Sequence, residues 1–223
     1  MHVDSYPIFP FYVVIDVSVS MQSYIGALNA ELPALQVAVQ EDPIVGDIAR
    51  FGIIAFSDEA EMLLPLSDLL EVSHMPTLQP VGGTNYAAAF ELLYQAIPHD
   101  VQWFKQHGMQ VYRPAVFFIS DGQPTVGGWE QWHAALTGPQ FPLRPNIVAF
   151  GFGQAQEATI ARVATFKAYA ADRGENPRTV LSHIASELTR SILTSSQRAS
   201  AGQASLSMPN NIQGMHEIAI DIL

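Results

Sequence analysis

Three short stretches place oxygen-bearing side chains at the ends of apolar runs. DVSVS sets Asp16, Ser18 and Ser20 at alternate positions directly after FPFYVVI. PVGGTNYAAAF presents Thr84 from a Gly-Gly loop just ahead of a helix-like segment, and FFISDGQPT closes another apolar run on Asp121. Each has an ordinary meaning alone: Asp and Ser bond their own backbone in turns and start helices, and Thr84 stands where a helix N-cap belongs. Together the five are hard oxygens with no nitrogen or sulfur among them, a set that suits Mg²⁺, Mn²⁺ or Ca²⁺ rather than zinc or copper. Two carboxylates balance one divalent ion, and three neutral hydroxyls add no charge. An ion held in this way keeps a position for water or for an anionic oxygen from outside. That is a binding device.

Such a device needs elements that bring distant residues to one place. The runs FYVVIDV (11–17), RFGIIAF (50–56), PAVFFIS (114–120) and NIVAFGF (146–152) are continuous in Val, Ile and Phe, as strands buried on both faces of a parallel sheet must be. EMLLPL (61–66) follows the second run after only SDEA, too short a gap for a crossover helix, so it reads as an antiparallel edge strand, with Pro65 suited to an edge. FKAYAA (166–171) reads as a further strand. Helical spacing marks 23–40, with Pro33 as a kink or restart, and 85–108, with Pro98 inside and Gly108 as a stop. It also marks 129–137, 156–165 and 178–195. Strands alternating with helices predict a doubly wound, Rossmann-like α/β domain. Ligands of such sheets sit outside the carboxyl ends of the strands where the winding reverses, and both Asp16 and Asp121 lie at carboxyl ends. If their strands are neighbours, the carboxylates face each other.

The chain has 223 residues, 48% of them hydrophobic and 14% charged, the composition of a globular protein. The domain is expected over 8–195. The small polar stretch at 196–207 reads as a flexible linker, and 208–223 as a tail. In that tail Ile218, Ile220 and Ile222 alternate with Ala219 and Asp221, the period of a strand with one apolar face. It is expected to dock over 215–223, either on its own domain or on a second copy as a swapped homodimer. A net charge of −11 argues against nucleic-acid binding and suits basic partner patches. The absence of cysteine excludes thiolate metal sites and cysteine nucleophiles. No apolar stretch approaches the ~20 residues that span a bilayer, so no membrane partner and a cytoplasmic location are expected.

Other motifs carry less. The seven histidines form no H-x-x-x-H pair. GFGQAQ (151–156) lacks the third glycine of a dinucleotide loop, and no phosphate-binding G-x-x-x-x-G-K-[ST] occurs. FSDEAE (56–61) reads as a solvated hairpin turn. Trp103, Trp129 and Trp132 read as core or rim residues, with Trp129, Trp132 and Leu136 on one helix face.

The D-x-S-x-S of DVSVS, the Thr of GGTNYAAAF and the Asp of SDGQPT together resemble the metal-ion-dependent adhesion site of von Willebrand factor A domains. RPAVFFISDGQPT and NIVAFGFG, with the hairpin FSDEAEMLLPLSD, resemble more narrowly the bacterial tellurite-resistance-associated (TerY-like) subgroup. The resemblance implies that Ser18, Ser20 and Thr84 bind the ion directly, and Asp16 and Asp121 directly or through water. It further implies that a protein partner completes the coordination with an Asp, Glu or other anionic group. A non-catalytic, metal-dependent interaction module of a bacterial stress system is the resulting expectation. The alternatives are a metal-dependent hydrolase or phosphatase and a chelatase-type subunit docking on an ATPase. A hydrolase would need a base held against metal-bound water, and the nearest candidates, His74 and His133, lie in no motif.

Overall fold

The computed structural model describes residues 7–203 and 205–220. In chain order its elements begin with β1 (Pro7–Asp16), a 3-10 turn (Val19–Ser23), α1 (Ile25–Gln40), α2 (Pro43–Ile48), β2 (Ala49–Phe56) and β3 (Ala60–Ser67). Then come α3 (Tyr86–Gln106), β4 (Gln110–Val111), β5 (Ala115–Ser120), α4 (Trp129–Thr137), β6 (Asn146–Gly151) and α5 (Glu157–Val163). The chain continues through β7 (Lys167–Ala171), α6 (Pro177–Ser200) and β8 (Met215–Ile218). Both α1 and α3 run through their internal prolines, Pro33 and Pro98, without a break.

The sheet order is β3-β2-β1-β5-β6-β7-β8, with β4 a short pair on β1. The pairings among β2, β1, β5, β6 and β7 are parallel, while β3 and β8 pair antiparallel at the two edges. The predicted doubly wound architecture therefore holds, with a second antiparallel edge in addition to the expected one. Side chains of β1 divide by parity. Phe11, Val13 and Ile15 pack in one layer with α1, α2 and α6, whereas Tyr12 and Val14 pack in the other with α3, α4 and α5. Full burial of each such side chain is worth ~1.5–3 kcal/mol, so a central strand with no polar residue before Asp16 is fixed in place from both sides.

One expectation about the C-terminal region needs correction. Residues 196–200 are no linker: they finish α6, and Ser195, Ser196 and Ala199 are buried. Small side chains here make room for close packing of the returning chain, where Ser207 N donates to Ser195 Oγ at 2.9 Å and Ser191 Oγ to Ser207 O at 2.6 Å. Beyond it, β8 pairs with β7 of the same chain, Met215 opposite Ala171 and Ile218 opposite Ala168. Ile218 and Ile220 pack against the layer of α3, α4 and α5. Ile222 lies outside the described residues. Among those residues, no helix is long and apolar enough to cross a membrane.

Candidate metal centre

The chain winds from β1 outward to β2 and β3, then returns through α3 to place β5 on the other side of β1. The winding therefore reverses between β1 and β5, which are parallel neighbours from Phe11 opposite Ala115 to Ile15 opposite Ile119. Their carboxyl ends open the crevice where such folds bind ligands. Asp16 and Asp121 stand at those two ends, buried to 0% and 4% exposure.

Hydrogen bonds join the predicted residues into one cluster. Asp16 Oδ1 accepts from Ser18 N at 2.8 Å, and its Oδ2 accepts from Ser120 Oγ at 2.6 Å. The hydroxyls of Ser18 and Ser20 share a bond at 2.9 Å, and Ser20 Oγ donates to Asp121 Oδ1 at 2.7 Å. Thr84 Oγ1 completes the group beside Gly122: a Cβ at Gly122 would lie 3.7 Å from it and 4.0 Å from Ser20 Oγ. Thr84 is not the N-cap of α3. Asn85 takes that role, accepting from Ala87 N and Ala88 N, so the Thr84 hydroxyl is not committed to the helix.

Three loops hold these side chains, and they are tied to one another through backbone bonds. Val81 N donates to Val17 O at 2.7 Å and Val19 N to Gly82 O at 3.1 Å, joining the loop before Thr84 to the one carrying the serines. Gly82 has φ +66, and a Cβ there would collide with the Asp58 carboxylate. Asp58 Oδ1 in turn accepts from Gly83 N at 2.9 Å. The third loop is bound through Thr125, whose N donates to Thr84 O at 2.8 Å and whose Oγ1 accepts from Thr84 N at 3.1 Å. Behind Asp121, Gln154 N donates to its carbonyl at 2.7 Å, and Gly153, at φ +63, approaches so closely that a Cβ would stand 3.2 Å from that oxygen.

Sequence reasoning missed several of these supports. Ser120 directly precedes Asp121 at a strand end, and its hydroxyl, absent from the five expected ligands, supports Asp16. The acidic turn FSDEAE is more than a solvated hairpin, since Asp58 braces the Gly-Gly loop. GFGQAQ, weighed only as a cofactor loop, is the brace behind Asp121. His133 is not near this cluster: its Nε2 bonds Val163 O at 2.9 Å and its ring packs on Phe90 and Trp129. Burial there holds its pKa below the usual histidine range. His74 is exposed. Of the tryptophans, Trp129 is buried and Trp103 is exposed at the rim.

Burial raises the Asp16 carboxyl above the ordinary carboxylate range, against the hydrogen bonds from Ser120 and Ser18, and the nearby Asp121 charge raises it further. Burial likewise raises Asp121, opposed by Ser20. Among the described residues, no Lys or Arg forms an ion pair with either carboxylate. Two buried acids without a counter-charge are costly, and a divalent cation is the ligand that would reverse that cost. The donor set fits one. An octahedron with ligands at ~2.1 Å has edges of about 3 Å, close to the oxygen spacings of 2.7 and 2.9 Å seen here. Among the described residues, no group of three or more His, Cys, Asp or Glu is arranged to hold a metal ion, so hydroxyls are integral to any such site.

A family model described as von Willebrand factor type A domain matches residues 11–123, a span that contains all five candidate residues. The open conformation of the pilus adhesin SpaC from Lactobacillus rhamnosus GG aligns with a TM-score of 0.64 at 13% identity, covering 85% of this chain and 30% of that one. Proximal thread matrix protein 1 from the mussel byssus, in a structure with a zinc-occupied MIDAS motif, aligns with a TM-score of 0.60 at 14% identity, covering 85% of this chain and 48% of that one. A von Willebrand factor type A protein from Catenulispora acidiphila aligns with a TM-score of 0.56 at 12% identity, covering 84% and 43%. The chain thus spans half or less of the length of these proteins, and at such identities the likeness is one of fold. No curated protein sequence matches.

Proposed function

The chain belongs to the von Willebrand factor type A family, and we propose that it is a metal-dependent protein-interaction module whose ion is held by Asp16, Ser18, Ser20, Thr84 and Asp121. The family generally mediates metal-dependent protein–protein interactions, and its domains are typically not enzymes. The observation that carries the reading is the pair of buried carboxylates at the β1/β5 switch point, bridged by hydroxyls and without a protein cation. The zinc-occupied site of the mussel protein is consistent with a divalent ion in this place. Here the oxygen-only donors and their short spacings favour Mg²⁺ or Mn²⁺ over larger Ca²⁺, whose ligands lie at roughly 2.3–2.6 Å.

When bound, the ion supplies an electrophilic position for an outside anionic oxygen. The protein's own residues do the rest. Ser120 and the Ser18 amide hold Asp16 in one orientation. Asn85 caps α3 and so leaves Thr84 available, while Asp58 fixes the Gly-Gly loop that presents it. The partner donates an Asp, Glu or comparable anionic group. The resemblance of the RPAVFFISDGQPT and NIVAFGFG strings to the TerY-like subgroup supports a role in a tellurite-resistance-type bacterial stress system. The hydrolase reading gains no support, since His133 is committed to Val163 O.

Calorimetric titration with Mg²⁺ tests the assignment. The parent should bind one ion, and Asp16→Ala and Asp121→Ala should abolish binding while circular dichroism stays unchanged. Parent-like binding by both variants would overturn the site.

A further inference from the structure

Both β5 and β6 are preceded by the same dipeptide, Arg113-Pro114 and Arg144-Pro145. The strands are parallel neighbours with Ala115 opposite Asn146, so the two Arg-Pro steps lie side by side at the amino end of the sheet. Asn146 N donates to Pro114 O at 2.8 Å and ties them together. A following proline keeps each arginine extended, and adjacent strands lie ~4.8 Å apart, so two guanidinium stems leave the sheet almost together. Lys105, from the last turn of α3, lines the same cavity of ≈ 180 Å³. No Asp or Glu lines it.

Three of the ten basic residues of an acidic chain therefore meet in one place. Of the seven other cations, four pair with carboxylates: Arg50 with Asp68, Arg162 with Glu130, Lys167 with Glu217, Arg190 with Glu187. Among the described residues, none of the three forms an ion pair. Lys105 complements the C-terminal dipole of α3, while the two arginines stand on neighbouring strands with no carboxylate lining their cavity.

We propose that this cavity is an anion site for a phosphate monoester, separate from the metal centre at the opposite end of the sheet. Guanidinium forks pair bidentately with phosphate oxygens, and three cations match a dianion better than a single carboxylate. The cavity is smaller than the roughly 300–1,000 Å³ of a site that engulfs a whole small molecule. It accommodates the phosphoryl group and its nearest atoms, with the remainder of the ligand outside. A free small molecule and a phosphorylated side chain both present such an ester.

Titration of the full chain with O-phosphoserine, read by calorimetry and phosphorus-31 line width, should reveal one saturable site. Arg113→Ala and Arg144→Ala should each weaken it by about tenfold or more, while the Lys variants, which keep the charge but lose the fork, should lie between. Arg173→Ala, which removes an exposed cation elsewhere, should leave the affinity unchanged. A phosphoserine peptide binding about tenfold tighter than the free amino acid would assign the ester to a phosphorylated chain, and equal affinity would assign it to a small molecule. Absence of saturable binding, or binding that survives the Arg113→Ala/Arg144→Ala double substitution, would overturn the proposal.

Discussion

The two ends of β5 carry opposite charge in opposite surroundings. At its carboxyl end, Asp121 and the neighbouring Asp16 are buried without a protein cation, and at its amino end Arg113, Arg144 and Lys105 meet without a carboxylate. The difference lies in solvent. Arg113 and Lys105 are exposed and stay hydrated, so their mutual repulsion is screened and costs the fold little. The acids are largely withdrawn from solvent, so a proton or an ion from outside meets their charge better than water does. The acidic end should therefore be coupled to stability and pH, and the basic end should not.

The strongest way to break that contrast is Asp16→Ala. Loss of this carboxylate should reduce Mg²⁺ affinity by about 100-fold or more, as measured by calorimetry. Arg113→Ala should leave that affinity unchanged. Next in size is the effect of metal on folding. Because burial raises the folded pKa values of Asp16 and Asp121, the metal-free fold holds their protons more tightly than the unfolded chain does. Their contribution is thus fully present below the ordinary carboxylate pKa and is lost as pH rises through the folded values. Urea melts without metal should show stability falling across that window. At neutral pH, Mg²⁺ at one hundred times its Kd should restore about 2.7 kcal/mol. The arginine variants should shift the same melts by no more than about 0.5 kcal/mol.

Ser120→Ala sharpens the comparison further. It removes a buried donor to a charged acceptor, so Mg²⁺ affinity should fall by roughly tenfold, while the five proposed ligands remain. The smallest effect belongs to an ordinary surface pair. His216 on β8 bonds Asp172 at 2.8 Å, and this bond holds its pKa above the usual histidine range. Its contribution is present below the unfolded histidine pKa and disappears as pH rises through the folded value. Solvent screening limits it to about 0.5 kcal/mol. Hydrogen-exchange protection factors at Met215–Ile218, taken relative to the intrinsic rate at each pH, should fall modestly over that range, and His216→Ala should remove the fall.

Much of this arrangement could be read from residue order. Continuous apolar runs located the central strands, the SDEA gap gave the hairpin, and strand polarity put Asp16 and Asp121 at the same end. What escaped was short or depended on packing. The helix Pro43–Ile48 is six residues long, yet Asp42 ahead of Pro43 is a capped start that could have been recognised. The two-residue β4 has no periodicity to detect. The end of α6 looked like a linker because Ser and Ala are small and polar or neutral, but small size is what allows the returning chain to bond Ser191 and Ser195. Asn85 displaced Thr84 as the helix cap because its carboxamide reaches two amides, a choice that the sequence GGTNYA leaves open between adjacent residues.

The most direct measurement is anomalous diffraction from crystals of the full chain grown with Mn²⁺. The account predicts one strong peak enclosed by the oxygens of Asp16, Ser18, Ser20, Thr84 and Asp121, lost in Asp16→Ala crystals. A well-diffracting Mn²⁺ crystal of the parent with no peak among those oxygens, or with its peak elsewhere, would contradict it.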